Sequence, residues 1–578
     1  MGILRKKQII ASFTKPVIAV VLLLLVATLS AVPAFKNTNW SDRQSERGYE
    51  EHRSQARHSH ARGSQQFGRI NATGERELPA DVLVILVDFA DVTFDMTPDY
   101  PDSLAHNADY FDRYMIHLQS YMHDVSHGQY QFNYTLSEVV TLSREMGYYG
   151  NDDDWTGIIQ FAVEIVQLLD ADTDFNLYDS FIIFHAGAGQ ESDLHHNHTD
   201  EIWSTFIDLW DMREAVEEAL ENDEISFPVE LTEDGILTDE GVYVKELVVC
   251  PESEYQADFT EDDPVLGMLG VVCHQFGHQL GLPTLYDNVS SNGRSAGIGN
   301  WGLMGTGAWN ALGYVPPMMC GWAKMYLGWE TPVELAYDIT DAVLDNIRED
   351  GTTPRLYKID ISETEYFLIE NRQQNPDGST SNAEGNPPSF SFELLPTGEQ
   401  KYYEAGHPNE GDPRFDFMTN SYQGCEWDFY LPGLGGPDTP VIDGSGMLIW
   451  HIDEAIIEAN FTTDFQYNSI NGYAPHKGID LEEADGIQHM DTNYPDMYRY
   501  GGPYDTFHED NNNYFGMSLH PDTQELSLPT AESYYGGGQM EIYDISANGM
   551  QMTFSMRREW SLRAHYEGDN PLSPIVYR

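Results

Sequence analysis

Apolar positions along the chain change their period near its middle, and that change predicts two kinds of architecture. Val82-Leu-Val-Ile-Leu-Val87 is an unbroken, β-branched-rich run of the kind that fills a central strand buried on both faces. Tyr110 to Val125 reads as a helix and Gln129 to Leu142 as a pair of strands. Between Trp155 and Leu169, Ile158, Ile159, Ala162, Ile165, Val166 and Leu169 recur at helical spacing, and Phe181-Ile-Ile-Phe184 is a second buried strand. Strands alternating with helices predict a layered α/β first half. After about residue 335 the pattern shifts to short strands between Gly, Pro, Asn and Asp turns: 355–361, 366–369, 447–452, 539–545 and 550–556. That half is expected to be β-rich.

The ends read differently. Arg5, Lys6 and Lys7 precede an apolar run from Val17 to Ala27, and small residues close it at Val32-Pro-Ala34. This has the layout of a secretory signal peptide over 1–34, with an uncleaved surface anchor as its alternative. Residues 35–78 are polar and Arg-rich, a linker or a short pro-segment. The remaining expected units are 79–334, 335–556 and a tail at 557–578. Export would place Cys250, Cys273, Cys320 and Cys425 in an oxidising compartment, where one or two disulfides are expected in any of three pairings.

Charge narrows the partners. The 578 residues carry 94 acids against 30 Lys and Arg, a net −64. Phosphate binding needs cations, so nucleic acid is excluded, and so is a membrane partner unless the N-terminal segment stays uncleaved. Only five Lys and nine Arg lie between Ala80 and Met556, so the presumptive folded body is more acidic than the average. Such a body suits high salt or bound Ca2+.

The chemistry concentrates in Pro264 to Leu280, PVLGMLGVVCHQFGHQL, a helix expected to run from Pro264 to the Gly281 turn. Its His274 and His278 are four apart, so both imidazoles stand on one helical face and can share one Zn2+. Gly281 follows where the zinc-peptidase pattern H-E-x-x-H-x-x-G turns the chain towards a third ligand. Met304 lies in the Gly-rich Trp301-Gly-Leu-Met-Gly305 as a Met-turn would. Weaker candidates are Asp170, Asp172, Asp174 and Asn176, whose alternating oxygens resemble a Ca2+ loop without the sixth-position Gly. Glu482-Glu483-Ala-Asp485-Gly486 and the stretch 505–513 are of the same kind, with a solvated acidic loop as the plainer reading. His195, His196 and His198 read as an exposed polar loop. His451 and Asp453 share one face of a strand and read as members of a pairing there rather than as catalytic groups.

Taken together, these segments resemble the immune inhibitor A-like secreted metallopeptidases of bacteria. The resemblance rests on Leu86-Val-Asp-Phe-Ala-Asp91, Phe184-His-Ala-Gly-Ala-Gly-Gln-Glu191, His274-Gln-Phe-Gly-His-Gln-Leu-Gly-Leu-Pro283 and Trp301-Gly-Leu-Met-Gly305. It continues through Tyr366-Phe-Leu-Ile-Glu-Asn-Arg372, Leu448-Ile-Trp-His-Ile-Asp453 and Asp480-Leu-Glu-Glu-Ala-Asp-Gly486. It implies a zincin-type (metzincin-like) α/β catalytic region with a mixed sheet and a zinc-site helix, followed by a β-rich part. It also implies a Zn2+ cofactor and endopeptidase cleavage of extracellular proteins and peptides. Two positions depart from the family. Gln275 stands where the family has the Glu that takes a proton from the attacking water, and an amide cannot do so. Glu191 and Asp193 are the first stand-ins to consider. Thr284 stands where the family offers an Asp ligand, which leaves Asp287, or else a plain turn residue at that position, as the nearest anionic replacement. Both departures point to a weakened enzyme, with a non-catalytic pseudopeptidase binding polypeptide or calcium, or a cell-surface adhesion module, as alternatives.

Overall fold

The computed structural model describes residues 69–70, 76–97, 105–152, 154–193, 195, 197–221, 226–256, 266–289, 295–348, 351–374, 427–436, 439–461, 469–492, 498–516, 528–536, 540–558, 564–565 and 575–576. The expected signal segment, almost all of the Arg-rich segment, His196 and Cys425 lie outside these residues, as does most of the expected tail.

Along the first half the elements are β1 (Asp81–Asp88), α1 (Ala108–Val125), β2 (Asn133–Thr141), α2 (Thr156–Leu169), β3 (Ser180–Ala188), β4 (Thr205–Ile207), α3 (Leu209–Glu221), β5 (Leu247–Ser253) and α4 (Leu269–Gln279). The strands form one sheet in the order β2-β1-β3-β5-β4. β1 pairs in parallel with β2 and β3, β3 in parallel with β5, and the edge strand β4 runs antiparallel to β5. Val82 to Val87 are all buried, as the unbroken apolar run predicts for an inner strand flanked by helices. Two boundaries differ from expectation. The span 129–142 is one strand rather than two, because Gln129 and Tyr130 belong to a turn that follows α1. The described part of the histidine helix begins at Leu269.

The second half adds α5 (Gly321–Tyr326), β6 (Val333–Glu334), β7 (Ile339–Asp345), β8 (Leu356–Asp360), β9 (Glu365–Arg372), β10 (Gly446–Asp453), α6 (Glu454–Asn460), β11 (Ile479–Leu481), β12 (Phe515–Gly516), β13 (Met540–Tyr543) and β14 (Gln551–Arg558). These strands make a sheet β6-β8-β9-β10-β11 and a sheet β7-β14-β13-β12. The β-rich reading of this half holds. One apolar cluster runs from β1 through α4 to Leu368 and Trp450 of the second sheet, so residue 335 marks a change of secondary structure within a continuous core. A second cluster, including Phe367, Ile449 and Phe554, fills the space between the second and third sheets.

Cysteine usage differs from the expectation as well. The thiols of Cys250, Cys273 and Cys320 are buried, and none of the three takes part in a disulfide. They sit inside the apolar core as small hydrophobes, and burial pushes Cys320 up to about 12, far from a reactive thiolate.

At the junction of the halves lies a charge cluster that apolar periodicity does not register. Arg372 at the end of β9 is wholly buried. Its guanidinium donates to Asp428 at 2.6 and 2.5 Å, to Glu370 at 3.1 Å, and to the carbonyls of Trp301 and Met318 at 3.0 and 3.2 Å. Trp450 Nε1 donates to the same Glu370 carboxylate. Arg372 therefore ties the second sheet directly to the loop that carries Met304.

Candidate metal centre

α4 is buried along its whole length, packed between the first sheet and the 295–313 segment. Its C-terminus is set by local chemistry. Gly281 has φ +90°, a conformation open to glycine, and the chain closes with Leu282 N–H donating to Gly277 O and Gly281 N–H to His278 O. That closure aims the Leu282 carbonyl back at the helix, where it accepts from His278 Nδ1 at 2.8 Å. His274 Nδ1 donates in the same way to Leu303 O at 2.9 Å. The two rings lie 4.9 Å apart, nearly perpendicular. Each imidazole thus has its Nδ1 proton fixed by a carbonyl and keeps Nε2 as its lone-pair atom, the arrangement found behind histidines that ligate metals. Burial holds His274 down at about 4, and burial together with His274 holds His278 at about 3. Both rings are neutral at physiological pH, as metal ligation requires.

Met304 packs directly against α4. A Cβ built on Gly277 would lie 2.6 Å from the Met304 sulfur, so the helix accepts the methionine only because residue 277 has no side chain. Leu285 N–H donates to Met304 O at 2.8 Å, which joins the segment after the helix to that turn. Val271, His274, Gln275, Tyr286, Thr306 and Trp309 line an open pocket beside the helix. Tyr286 stacks on His274 across it, with ring centroids 6.4 Å apart. No periodicity or motif singles out Tyr286.

Gln275 is turned towards the edge strand. Its Nε2 donates to Ser204 O at 3.2 Å, one residue before β4, while its buried Oε1 accepts no hydrogen bond among the described residues. The Ser204 peptide is held from its other side by Glu191, whose carboxylate accepts Ser204 N–H at 3.0 Å. Glu191 and Glu254 are both buried, and neither oxygen of Glu254 meets a hydrogen-bond donor among the described residues. Burial, reinforced by Glu191, pushes Glu254 well above the ordinary carboxyl range. Asp193 is otherwise engaged, accepting the backbone N–H groups of His195 and His198 within its own loop. Of the two stand-in carboxylates, only Glu191 reaches the neighbourhood of Gln275, and it does so through a peptide group.

The raised value of Glu254 has a stability consequence. The unfolded chain gives up this proton near pH 4.5 while the folded chain keeps it, so stability present below pH 4.5 is lost progressively as pH rises above it. Glu254→Gln supplies a permanent N–H donor to Glu191. Its melting temperature is expected to fall less than that of the parent between pH 5 and 8; parallel melting curves across that range would show that Glu254 does not keep its proton in the folded chain.

The other candidates are placed elsewhere. Asp287 is buried and accepts Val289 N–H at 2.8 Å and Ser295 N–H at 3.4 Å, the geometry of a turn residue. Thr284 is buried just after the helix turn. Asp170 accepts Asp239 N–H, 69 residues away, and Asp174 accepts the backbone and side-chain N–H groups of Asn176, so these carboxylates are engaged by amide donors. His451 pairs with Glu365 and Glu482, and Asp453 with His476, so that face of β10 is a pairing face. Among the described residues, one set of three acidic or histidine side chains brings its ligand atoms within 4.8 Å of one another: Glu483, Asp485 and His489. The set includes neither His274 and His278 with Asp287, nor the Asp170 loop.

Comparison with known proteins agrees with the resemblance. Residues 158–330 match the immune inhibitor A peptidase M6 catalytic domain. The chain is 23% identical over 304 residues to the pre-pro-metalloprotease PrtV of Vibrio cholerae serotype O1, in strain M66-2 and again in strain ATCC 39315 / El Tor Inaba N16961. The match takes in 43% of this chain and 29% of those relatives. The crystal structure of wild-type OgpA from Akkermansia muciniphila is 12% identical with a TM-score of 0.26, covering 52% of this chain and 73% of that one, a likeness on which nothing is built.

Proposed function

We propose that this chain, whose residues 158–330 match the immune inhibitor A peptidase M6 catalytic domain, is an exported, zinc-dependent endopeptidase-like protein acting on polypeptides, weakened in turnover by Gln275. The observation that carries this reading is the pair of neutral imidazoles on α4, each with Nδ1 donating to a carbonyl so that Nε2 carries the ring's lone pair. They fit a borderline divalent cation, for which imidazole nitrogen is a preferred donor. When bound there, Zn2+ would supply Lewis-acid polarisation of a substrate carbonyl. The chain's own residues do the remaining work. β4 is the edge of its sheet, and an extended polypeptide can add to such an edge by main-chain hydrogen bonds. The Gln275 and Glu191 side chains hold the Ser204 peptide at the head of that strand and so fix its position over α4. Tyr286 covers one side of His274 and limits water on that flank. At the position of the general base, Gln275 contributes a donor and no proton acceptor.

The same amide favours a second reading, a pseudopeptidase that holds metal and peptide without turnover. Metal analysis and casein hydrolysis on the purified chain separate the two. Expected for the first is zinc with slow, chelator-sensitive turnover; for the second, zinc alone. His274→Ala/His278→Ala is expected to remove one equivalent of zinc. A double variant that keeps as much zinc as its parent would overturn the assignment of this centre.

A further inference from the structure

We propose that Glu483, Asp485 and His489 form a second metal site, one that binds a borderline divalent cation such as Zn2+ or Mn2+ and braces the loop behind the Met304 turn. The three side chains lie in the segment that follows β11, and the neighbouring Met490 carbonyl accepts Ala296 N–H. His489 Nδ1 is 3.6 Å from Glu483 Oε2 and 3.7 Å from Asp485 Oδ2. Those separations are too long for hydrogen bonds. They are the spacing left between ligands that share one cation: bonds of about 2.0–2.2 Å in tetrahedral geometry place ligand atoms roughly 3.3–3.6 Å apart.

The surroundings favour a cation. Glu483 has no exposed surface, and its two oxygens accept the backbone N–H groups of His489 and Met490, which fixes the carboxylate in place. Asp485 Oδ1 accepts Ile487 N–H, and its Oδ2 faces His489. A third carboxylate, Asp505, is 1% exposed and borders both acids. Its Oδ2 accepts Trp301 Nε1–H and Gly502 N–H, while its Oδ1 accepts no hydrogen bond from a described residue. Lys477, buried nearby, is engaged by Asp480 and Asp491.

Imidazole nitrogen beside two carboxylates selects the zinc and manganese class, since Ca2+ prefers an all-oxygen shell. The site's place in the fold gives it a structural task. Met490 O accepts Ala296 N–H at 2.8 Å, Tyr500 O accepts Asn300 N–H at 2.7 Å, and Asp505 holds Trp301. A cation drawn in by Glu483, Asp485 and His489 would therefore stiffen the loop whose next turn, Leu303-Met304, positions His274.

The test uses the full chain and does not depend on peptidase activity. After stripping with EDTA and dialysis against ZnCl2, MnCl2 or CaCl2 in separate arms, bound metal is counted by mass spectrometry and the melting temperature recorded. With Zn2+, the parent is expected to hold two equivalents and His274→Ala/His278→Ala one. His489→Gln in the double variant's background is expected to hold none, and to lose the metal-dependent rise in melting temperature. His489→Gln alone should keep one equivalent and the α4 centre. Retention of metal by the triple variant would overturn the proposal, and so would a double variant that binds no Zn2+ or Mn2+ while its circular dichroism matches the parent. Binding of Ca2+ alone would overturn the role of the imidazole. If instead the α4 reading fails, the parent and the double variant hold equal zinc, and His489→Gln still removes one equivalent.

Discussion

Gln275→Glu is expected to raise casein turnover by about 10²- to 10⁴-fold, the usual contribution of general acid–base catalysis. The position lies between His274 and His278 on α4 and lines the same pocket as His274. The amide now there donates to Ser204 O and offers no basic atom at neutral pH. A carboxylate in its place would lose that donor and would face a carbonyl in a buried setting, which raises its proton affinity towards the range where a base works best near neutrality. Gln275→Ala separates the two duties of the residue: it loosens the Ser204 peptide without supplying a base, so it should not gain turnover. The measurement is initial rate on casein at matched zinc content. If Gln275→Glu hydrolyses no faster than the parent while both hold the α4 zinc, the missing base is not what limits this chain, and the pseudopeptidase reading takes precedence.

Arg372→Met is expected to remove about 3–5 kcal/mol of stability, the usual cost of stripping the cation from a buried ionic cluster. A domain's whole margin is about 5–15 kcal/mol, so a substantial share of it would go. Neither Glu370 nor Asp428 has exposed surface, and each would be left in the core without its guanidinium partner. Two carbonyls, of Trp301 and Met318, would lose their donor at the same time. Arg372→Lys should recover only part of the loss, because an ammonium cannot reproduce the two-point contact with Asp428. A useful contrast is Lys358→Met at the Lys358–Asp360 pair, half open to solvent on the acid's side, where under about 1 kcal/mol is expected. Urea unfolding followed by circular dichroism measures all three. A loss below about 1 kcal/mol for Arg372→Met would mean that the cluster is not held by this charge.

Much of this protein is legible in local sequence. A strand buried on both faces must be apolar at every position, so Val82 to Val87 announces β1. A helix repeats every 3.6 residues, so His274 and His278 share a face whatever surrounds them. Gly281 is legible because only a residue free to take φ +90° closes that helix cheaply. The family resemblance came from the same short motifs, since each of them is a stretch of neighbours in the chain.

The remainder depends on which distant segments pack together, and pattern does not carry that. The carbonyl that orients His274 comes from Leu303, and the one that receives Gln275 comes from Ser204, 71 residues away. Arg372 meets Asp428 across 56 residues, and Trp301 meets Asp505 across 204. The acidic loops show the difference most plainly. In sequence, 170–176 and 482–486 look alike, with carboxylates at close spacing. In the fold, Asp170 and Asp174 turn to backbone amides, whereas Glu483 and Asp485 converge on His489 with Asp505 behind them. Spacing along a strand or helix follows from covalent geometry and is written in the sequence. Convergence of ligands from separate loops follows from tertiary packing, and only the folded structure decides it.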